Sequence, residues 1–223
     1  MPSRRGIFIT FEGLDGCGKT TQLSRLAEAL RGRGMDVVAT REPGGTKIGE
    51  SIRAVLLDSR TSGLTTWAEL ALMFADRAQH VKEIIEPALA AGKIVLCDRF
   101  TDSTEAYQGY GRELGSDIVR RLHRELCADL WPDLTLLLNS EDGGSVARAR
   151  TRNQKHDSSE GRFENEDAVF FRRVQRGFEA IADREPNRVV RIPAGSIAKV
   201  EVAILGVVEG KFPQLTSRAV LSR

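Results

Sequence analysis

GLDGCGKT, Gly13 to Thr20, matches the pattern GxxxxGK[ST] in full and stands between two segments of different period. Before it, GIFITF at 6–11 reads as a strand. After it, Thr20 to Arg33 sets Leu23, Leu26, Ala27 and Leu30 at helical spacing, with Gly34 placed as a stop. A strand, a glycine-rich turn and a helix in that order make a phosphate-binding loop. Successive backbone N–H groups wrap the phosphate oxygens, and the helix N-terminus adds its dipole. The candidate ATP-binding residues are therefore Gly13, Leu14, Asp15, Gly16, Cys17, Gly18, Lys19, Thr20 and Thr21, with Lys19 reaching the β- and γ-phosphates and the Thr20 hydroxyl on Mg²⁺. The dinucleotide fingerprint GxGxxG is not met, because Thr21 stands where its third glycine belongs. A GTPase is disfavoured too, since the segment after the fourth strand is NSED and lacks the lysine of NKxD.

Working outward, four more apolar runs read as strands: DVVAT at 36–40, KIVLC at 93–97, DLTLLL at 133–138 and RVVRI at 188–192. Helical patterns fall at about 66–91, 116–130, 166–184 and 196–208. Strands that are apolar on both sides suit burial on both faces, so the expectation is a three-layer α/β P-loop NTPase fold: a five-stranded parallel sheet with helices on both faces. One domain is expected over 1–209. The polar, basic stretch from 139 predicts a mobile lid at about 143–165, and the tail at 210–223 is read as disordered or packed on a partner chain.

The 223 residues carry a net charge of only +2 from 33 basic and 31 acidic side chains, which excludes a general field for nucleic acid or anionic lipid. Three cysteines without a CxxC pair argue against a disulfide framework and a structural zinc site. With no apolar run near 20 residues and no signal-like start, a cytoplasmic protein without a membrane partner is expected. Asp98 ends the strand IVLCD, where a carboxylate at the sheet's carboxyl edge can hold Mg²⁺ or its water; Arg99 follows it.

LCDRFTDSTEAYQ at 96–108, with Asp98, Arg99, Ser103, Thr104, Tyr107 and Gln108 in register, resembles the signature of the thymidylate kinase family. FEGLDGCGKTTQ, REPGGT at 41–46, the IGESIRAVLL run with Arg53, and FADRAQH at 74–80 resemble the same family in the same order, covering roughly 5–208. The resemblance implies transfer of the γ-phosphoryl group of ATP to dTMP, in a homodimer packed through helices. By that resemblance Phe74 stacks on thymine, Arg77 and Gln108 bond its edge, and Arg53 and Arg99 hold the 5′-phosphate through their guanidinium forks. Ser103 and Thr104 join the substrate site, Asp15 and Glu42 face the sugar or the magnesium region, and Tyr107 crowds the place of a ribose 2′-hydroxyl.

One branch of the family carries an arginine inside the phosphate loop, but residues 14–17 here are Leu, Asp, Gly and Cys. The lid is then expected to supply the charge, through Arg148, Arg152 and Arg162, which join Lys19 and Arg99 as the catalytic candidates. Phe163 and Glu164, in GRFENED, resemble a family segment near the acceptor. Two alternatives stay open: a kinase of the same fold for dUMP, dCMP or a deoxynucleoside, and a regulatory module that binds ATP without transferring phosphate.

Overall fold

The computed structural model describes residues 5–61, 63–139 and 161–216. Five strands, β1 (Ile7–Glu12), β2 (Val37–Arg41), β3 (Ile94–Asp98), β4 (Leu134–Leu138) and β5 (Val189–Ile192), form one sheet in the order β2-β3-β1-β4-β5. Every pairing is parallel. The expected five-stranded parallel sheet is present, and each strand falls within a residue or two of its predicted place.

Alternation along the strands sorts the apolar side chains into two layers. Ile9, Phe11, Ile94 and Leu96 pack with Leu23, Leu26 and Leu30 of α1 (Lys19–Gly32) and with Ile204 and Val208 of a later helix, Ile197–Lys211. Phe8, Val95 and Cys97 face the other way, against Leu70 and Phe74 of α3 (Thr66–His80) and Val119 of the helix Ser116–Leu126. Between these, α2 (Lys47–Leu57) was not expected from periodicity. Thr46 starts it, its hydroxyl accepting from the Gly49 N–H at 2.9 Å.

The predicted helix at 66–91 is continuous but changes pitch: α3 passes through a π turn, Val81–Ile85, into α4 (Glu86–Ala90). A second π segment, Glu105–Gly111, follows the short α5 (Thr101–Thr104). Helix α6 is Ser116–Leu126, α7 is Ala168–Arg184 and α8 is Ile197–Lys211. The boundary expected at 209 lies inside α8. The chain then makes a 3₁₀ turn, Pro213–Leu215, whose Leu215 is buried in the core and whose carbonyl accepts from Arg33 Nη1 at 2.9 Å. Most of the expected lid, 140–160, lies outside the described residues. Among the described residues no helix is long and apolar enough to cross a membrane.

Candidate active site

The carboxyl ends of β1, β2 and β3 lie side by side, so the loops leaving them build one site, as open parallel sheets do. The loop after β1 is the phosphate loop. Gly13 holds φ +133°, and a Cβ there would meet the Leu138 carbonyl oxygen at 2.6 Å. Gly18, at φ +100°, turns the chain into α1. Lys19 is buried, its Nζ donating to the carbonyls of Gly13 (3.1 Å) and Leu14 (2.9 Å). Thr20 donates through Oγ1 to Asp98 Oδ2 at 2.5 Å, so hydroxyl and carboxylate converge from α1 and β3. Two hard oxygen donors beside a phosphate loop fit Mg²⁺, which keeps several waters and takes only one or two protein ligands.

A cavity of about 760 Å³ opens over this loop, lined by Gly16, Gly18, Lys19, Thr20, Thr21 and Asp98 among others. A smaller one, about 140 Å³, lies beyond it, with Met73, Arg77, Ser103, Thr104, Tyr107 and Gln108 in its wall. Asp15, Glu42, Arg53 and Arg99 line both and form the partition.

Arg99 is the centre of the partition. Its backbone holds φ +71°, a left-handed conformation costing about 1–3 kcal/mol for a residue with a side chain. The turn aims the guanidinium back at the loop, where Nη1 donates to Ser103 Oγ (2.7 Å) and the Gly13 carbonyl (3.1 Å), and Nη2 to Asp15 Oδ1 (2.6 Å). Tyr107 donates to Asp15 Oδ2 at 2.9 Å, under the guanidinium. Burial alone would push the Asp15 carboxyl up, but Arg99 and Lys19 beside it hold it below the usual carboxylate range.

The strained turn is pinned from behind by Glu12, which accepts from the Phe100 N–H (2.7 Å) and Ser103 Oγ (2.5 Å). Burial, with the charge of Asp102 behind it, pushes Glu12 up to about 8. Burial and the charge of Glu42 push Asp76 up to about 7. Acids whose folded pKa is raised bind more protons folded than unfolded, so their stabilisation is complete at low pH and is lost as pH rises towards 8. Asp15, Glu42 and Asp102 are held low and are already ionised across this window. His123, which burial holds at about 4, works the other way only below about pH 6.5, so the melting temperature is expected to fall from pH 6.5 to 8.5, with Glu12 contributing up to about 1.4 kcal/mol per pH unit. Glu12→Gln, an isostere of the protonated acid, should flatten that slope. Melts of the two proteins at several pH values check it, and identical slopes would discard the raised Glu12.

In the smaller chamber Arg77 is fully buried and lies between two rings, its Cζ 5.1 Å from the Phe74 centroid and 5.2 Å from that of Phe100. Nε donates to Glu42 Oε2 (2.7 Å) and Nη2 to Thr104 Oγ1 (2.9 Å), while the buried Nη1 has no partner in the protein. Glu42 is held again at Oε1 by His80 Nδ1 (2.8 Å). Against the upward push of burial, Arg77 and His80 keep its carboxyl low. Gln108 donates through Nε2 to Glu69 Oε1 (2.8 Å), and its buried Oε1 also lacks a protein partner. Both residues line the smaller chamber, and each keeps one buried polar atom, a donor and an acceptor, without a partner in the protein.

A match to the thymidylate kinase family model covers residues 11–204. The chain belongs to the thymidylate kinase family. It is 52% identical over 190 residues to the thymidylate kinase of Desulfovibrio desulfuricans, covering 84% of this chain and 88% of that one. It is 47% identical over 211 residues to that of Geobacter sulfurreducens, covering 94% and 99%. The crystal structure of thymidylate kinase from Ehrlichia chaffeensis superposes with a TM-score of 0.74 at 36% identity, covering 92% of this chain and 99% of that one. Thymidylate kinases transfer the γ-phosphoryl group of ATP to dTMP, giving dTDP and ADP, and this chain is an enzyme of that type.

Against the thymidylate kinase expectations, Phe74 and Arg162 sit elsewhere, and Glu42 has both oxygens engaged. Phe74 does not line the smaller chamber; it is core, packed under Arg77 with Phe8 and Leu70. Met73, four residues before Arg77 on α3, lines the chamber with it, while Phe74, three residues before, lies against the Arg77 guanidinium. Phe100 and Phe163 supply its aromatic lining. Glu42 lines the chamber as expected, but its two oxygens are engaged by Arg77 and His80, so it serves as the anchor of Arg77. Arg162 does not reach the phosphate loop: Nη1 pairs with Glu69 Oε2 (2.8 Å) and Nε donates to the Leu56 carbonyl (2.5 Å). Arg148 and Arg152 lie outside the described residues.

Glu69, Glu12 and Met73 were not found by sequence reasoning. The spacing of Glu69, Met73 and Arg77, each four apart on α3, is the signal that could have found two of them. Glu42, His80 and Cys97 place donor atoms within 4.8 Å of one another, but the Glu42 oxygens are engaged as described, which leaves no open metal site there.

Proposed function

We propose that this thymidylate kinase reads thymine through Arg77 and Gln108, and that the unsatisfied pair they present carries the assignment. Thymine offers O4, an acceptor, and N3–H, a donor; these complement Arg77 Nη1 and Gln108 Oε1. Cytosine offers an amine and a bare N3, setting donor against donor and acceptor against acceptor. A site with buried polar groups rejects a base that leaves them unpaired by about 10⁴-fold, whereas the 5-methyl group alone is worth roughly 10–200-fold. Discrimination against dCMP is accordingly expected to exceed discrimination against dUMP.

Arg53 and Arg99 are proposed to hold the 5′-phosphate at the partition, where it faces the larger chamber. Ser103 fixes the guanidinium of Arg99 and Thr104 that of Arg77, while Tyr107, tied to Asp15, fills the space a 2′-hydroxyl would need. Thr20 and Asp98 would hold Mg²⁺, which when bound neutralises charge on the β- and γ-phosphates. Lys19 and the loop N–H groups hold the ATP phosphates in line with the acceptor. With Arg162 engaged at Glu69, Arg148 and Arg152 are the proposed lid arginines. Exposed Ile48 and Val55 on α2 and Trp67 on α3 support a homodimer packed through helices, and three unpaired cysteines support a cytoplasmic setting.

The test is a coupled ADP-release assay with dTMP, dUMP, dCMP, AMP or no acceptor. Gln108→Ala should cut the dTMP-over-dCMP ratio of kcat/KM by about 10²-fold while leaving KM for ATP near its starting value. An unchanged ratio would remove Gln108 from the base site.

A further inference from the structure

A glutamine that reads a base is ambiguous in itself, since its amide can present a carbonyl or an NH₂ to the same place by a half-turn about the last side-chain bond. What fixes the choice is the group behind it. Here that group is Glu69, on the first turn of α3, buried at 1% exposure and absent from the wall of the chamber. Its carboxylate is ion-paired on the far side with Arg112 Nη2 (3.1 Å) and Arg162 Nη1 (2.8 Å). An ion-paired carboxylate accepts hydrogen bonds and donates none, so it faces the NH₂ of Gln108 and leaves the amide oxygen turned away from it, without a protein partner.

We propose that Glu69 is a specificity-determining positioning residue: by accepting from Gln108 Nε2 it locks the amide with Oε1 towards the base, and so selects a pyrimidine with a protonated N3. The inference rests on the assignment of Gln108 as a base reader. Two further contacts make the lock rigid. Arg112 grips both oxygens of Glu69 (Nε to Oε1 and Nη2 to Oε2, each 3.1 Å), and the Arg162 N–H and Nε donate to the Leu57 and Leu56 carbonyls, tying the same carboxylate to the end of α2. The carboxylate therefore cannot swing away from Gln108 without releasing two arginines.

Glu69→Gln removes the constraint at constant shape, because the amide it introduces can donate to a reversed Gln108 as readily as accept from the original one. The dTMP-over-dCMP ratio of kcat/KM is expected to fall by at least about tenfold, carried by KM for dTMP with kcat nearly held. Adding Gln108→Glu should restore the ratio, since a carboxylate at position 108 presents an acceptor whichever way it turns and the amide at position 69 can donate to it. A purely structural Glu69 would lower turnover with both nucleotides alike and would not be rescued. If Gln108→Ala collapses the ratio and Glu69→Gln leaves it intact, the lock is overturned and the base reader survives; if neither changes it, both fail. Neutron diffraction of the wild-type enzyme with dTMP decides the matter without any variant: Nε2 towards Glu69 supports the lock, and Oε1 towards Glu69 overturns it.

Discussion

Lys19→Ala is expected to lower phosphoryl transfer to dTMP by about 10²- to 10³-fold, with dTMP affinity nearly unchanged. Phosphoryl transfer leaves little covalent work to the protein, so the rate depends on positioned charge, and the loss of one aimed donor typically costs about 10²- to 10³-fold. Lys19 is the residue of the phosphate loop whose cation is already held at the loop's inner side, by the Gly13 and Leu14 carbonyls, within the wall of the larger chamber. It does not line the smaller chamber, which is why the two effects should separate. Single-turnover kinetics with ATP, alongside calorimetric titration of dTMP, reads both. Normal turnover in this variant would refute the phosphate-loop mechanism itself.

Arg77→Met should do two things of comparable size. It leaves the Glu42 carboxylate buried with His80 as its remaining side-chain partner, and breaking a buried ion pair from one side typically costs about 3–5 kcal/mol. It also removes the donor proposed to meet O4, which should cost about 10²-fold in selectivity for dTMP over dCMP. Adding Glu42→Gln should recover much of the stability and none of the selectivity. Chemical denaturation of the single and double variants measures the first effect, and the acceptor panel the second. Recovery of selectivity in the double variant would mean that Arg77 acts only by holding Glu42.

The residues legible from sequence are those whose chemistry depends on neighbours in the chain. Gly13, Gly18, Lys19 and Thr20 form one contiguous pattern, and Asp98 ends an apolar run, so both were readable beside the five strands. Residues whose role depends on distant partners were not. Glu42 meets Arg77 across 35 positions and Glu69 meets Gln108 across 39, and no local period carries such pairings. Phe74 shows the limit differently: helical spacing sets it beside Arg77, but the packing that buries it against Phe8 and Val95 comes from strands far along the chain. Arg162 was legible as a lid cation, but the carboxylate that captures it lies 93 positions away. Helix α2 was legible as well, in Ile48, Ile52, Val55 and Leu56 at i, i+4, i+7 and i+8, but its run was read for Arg53 alone.

Arg99 meets two requirements that few side chains can meet together: a left-handed backbone and a guanidinium fork that reaches Gly13, Asp15 and Ser103 at once. Glycine would relieve the backbone and abolish the fork; lysine would keep the charge and lose the planar geometry while retaining the strain. An inhibitor anchored on this residue would therefore leave little room for drug resistance at that position, because each change that weakens the inhibitor also disables the enzyme it must preserve.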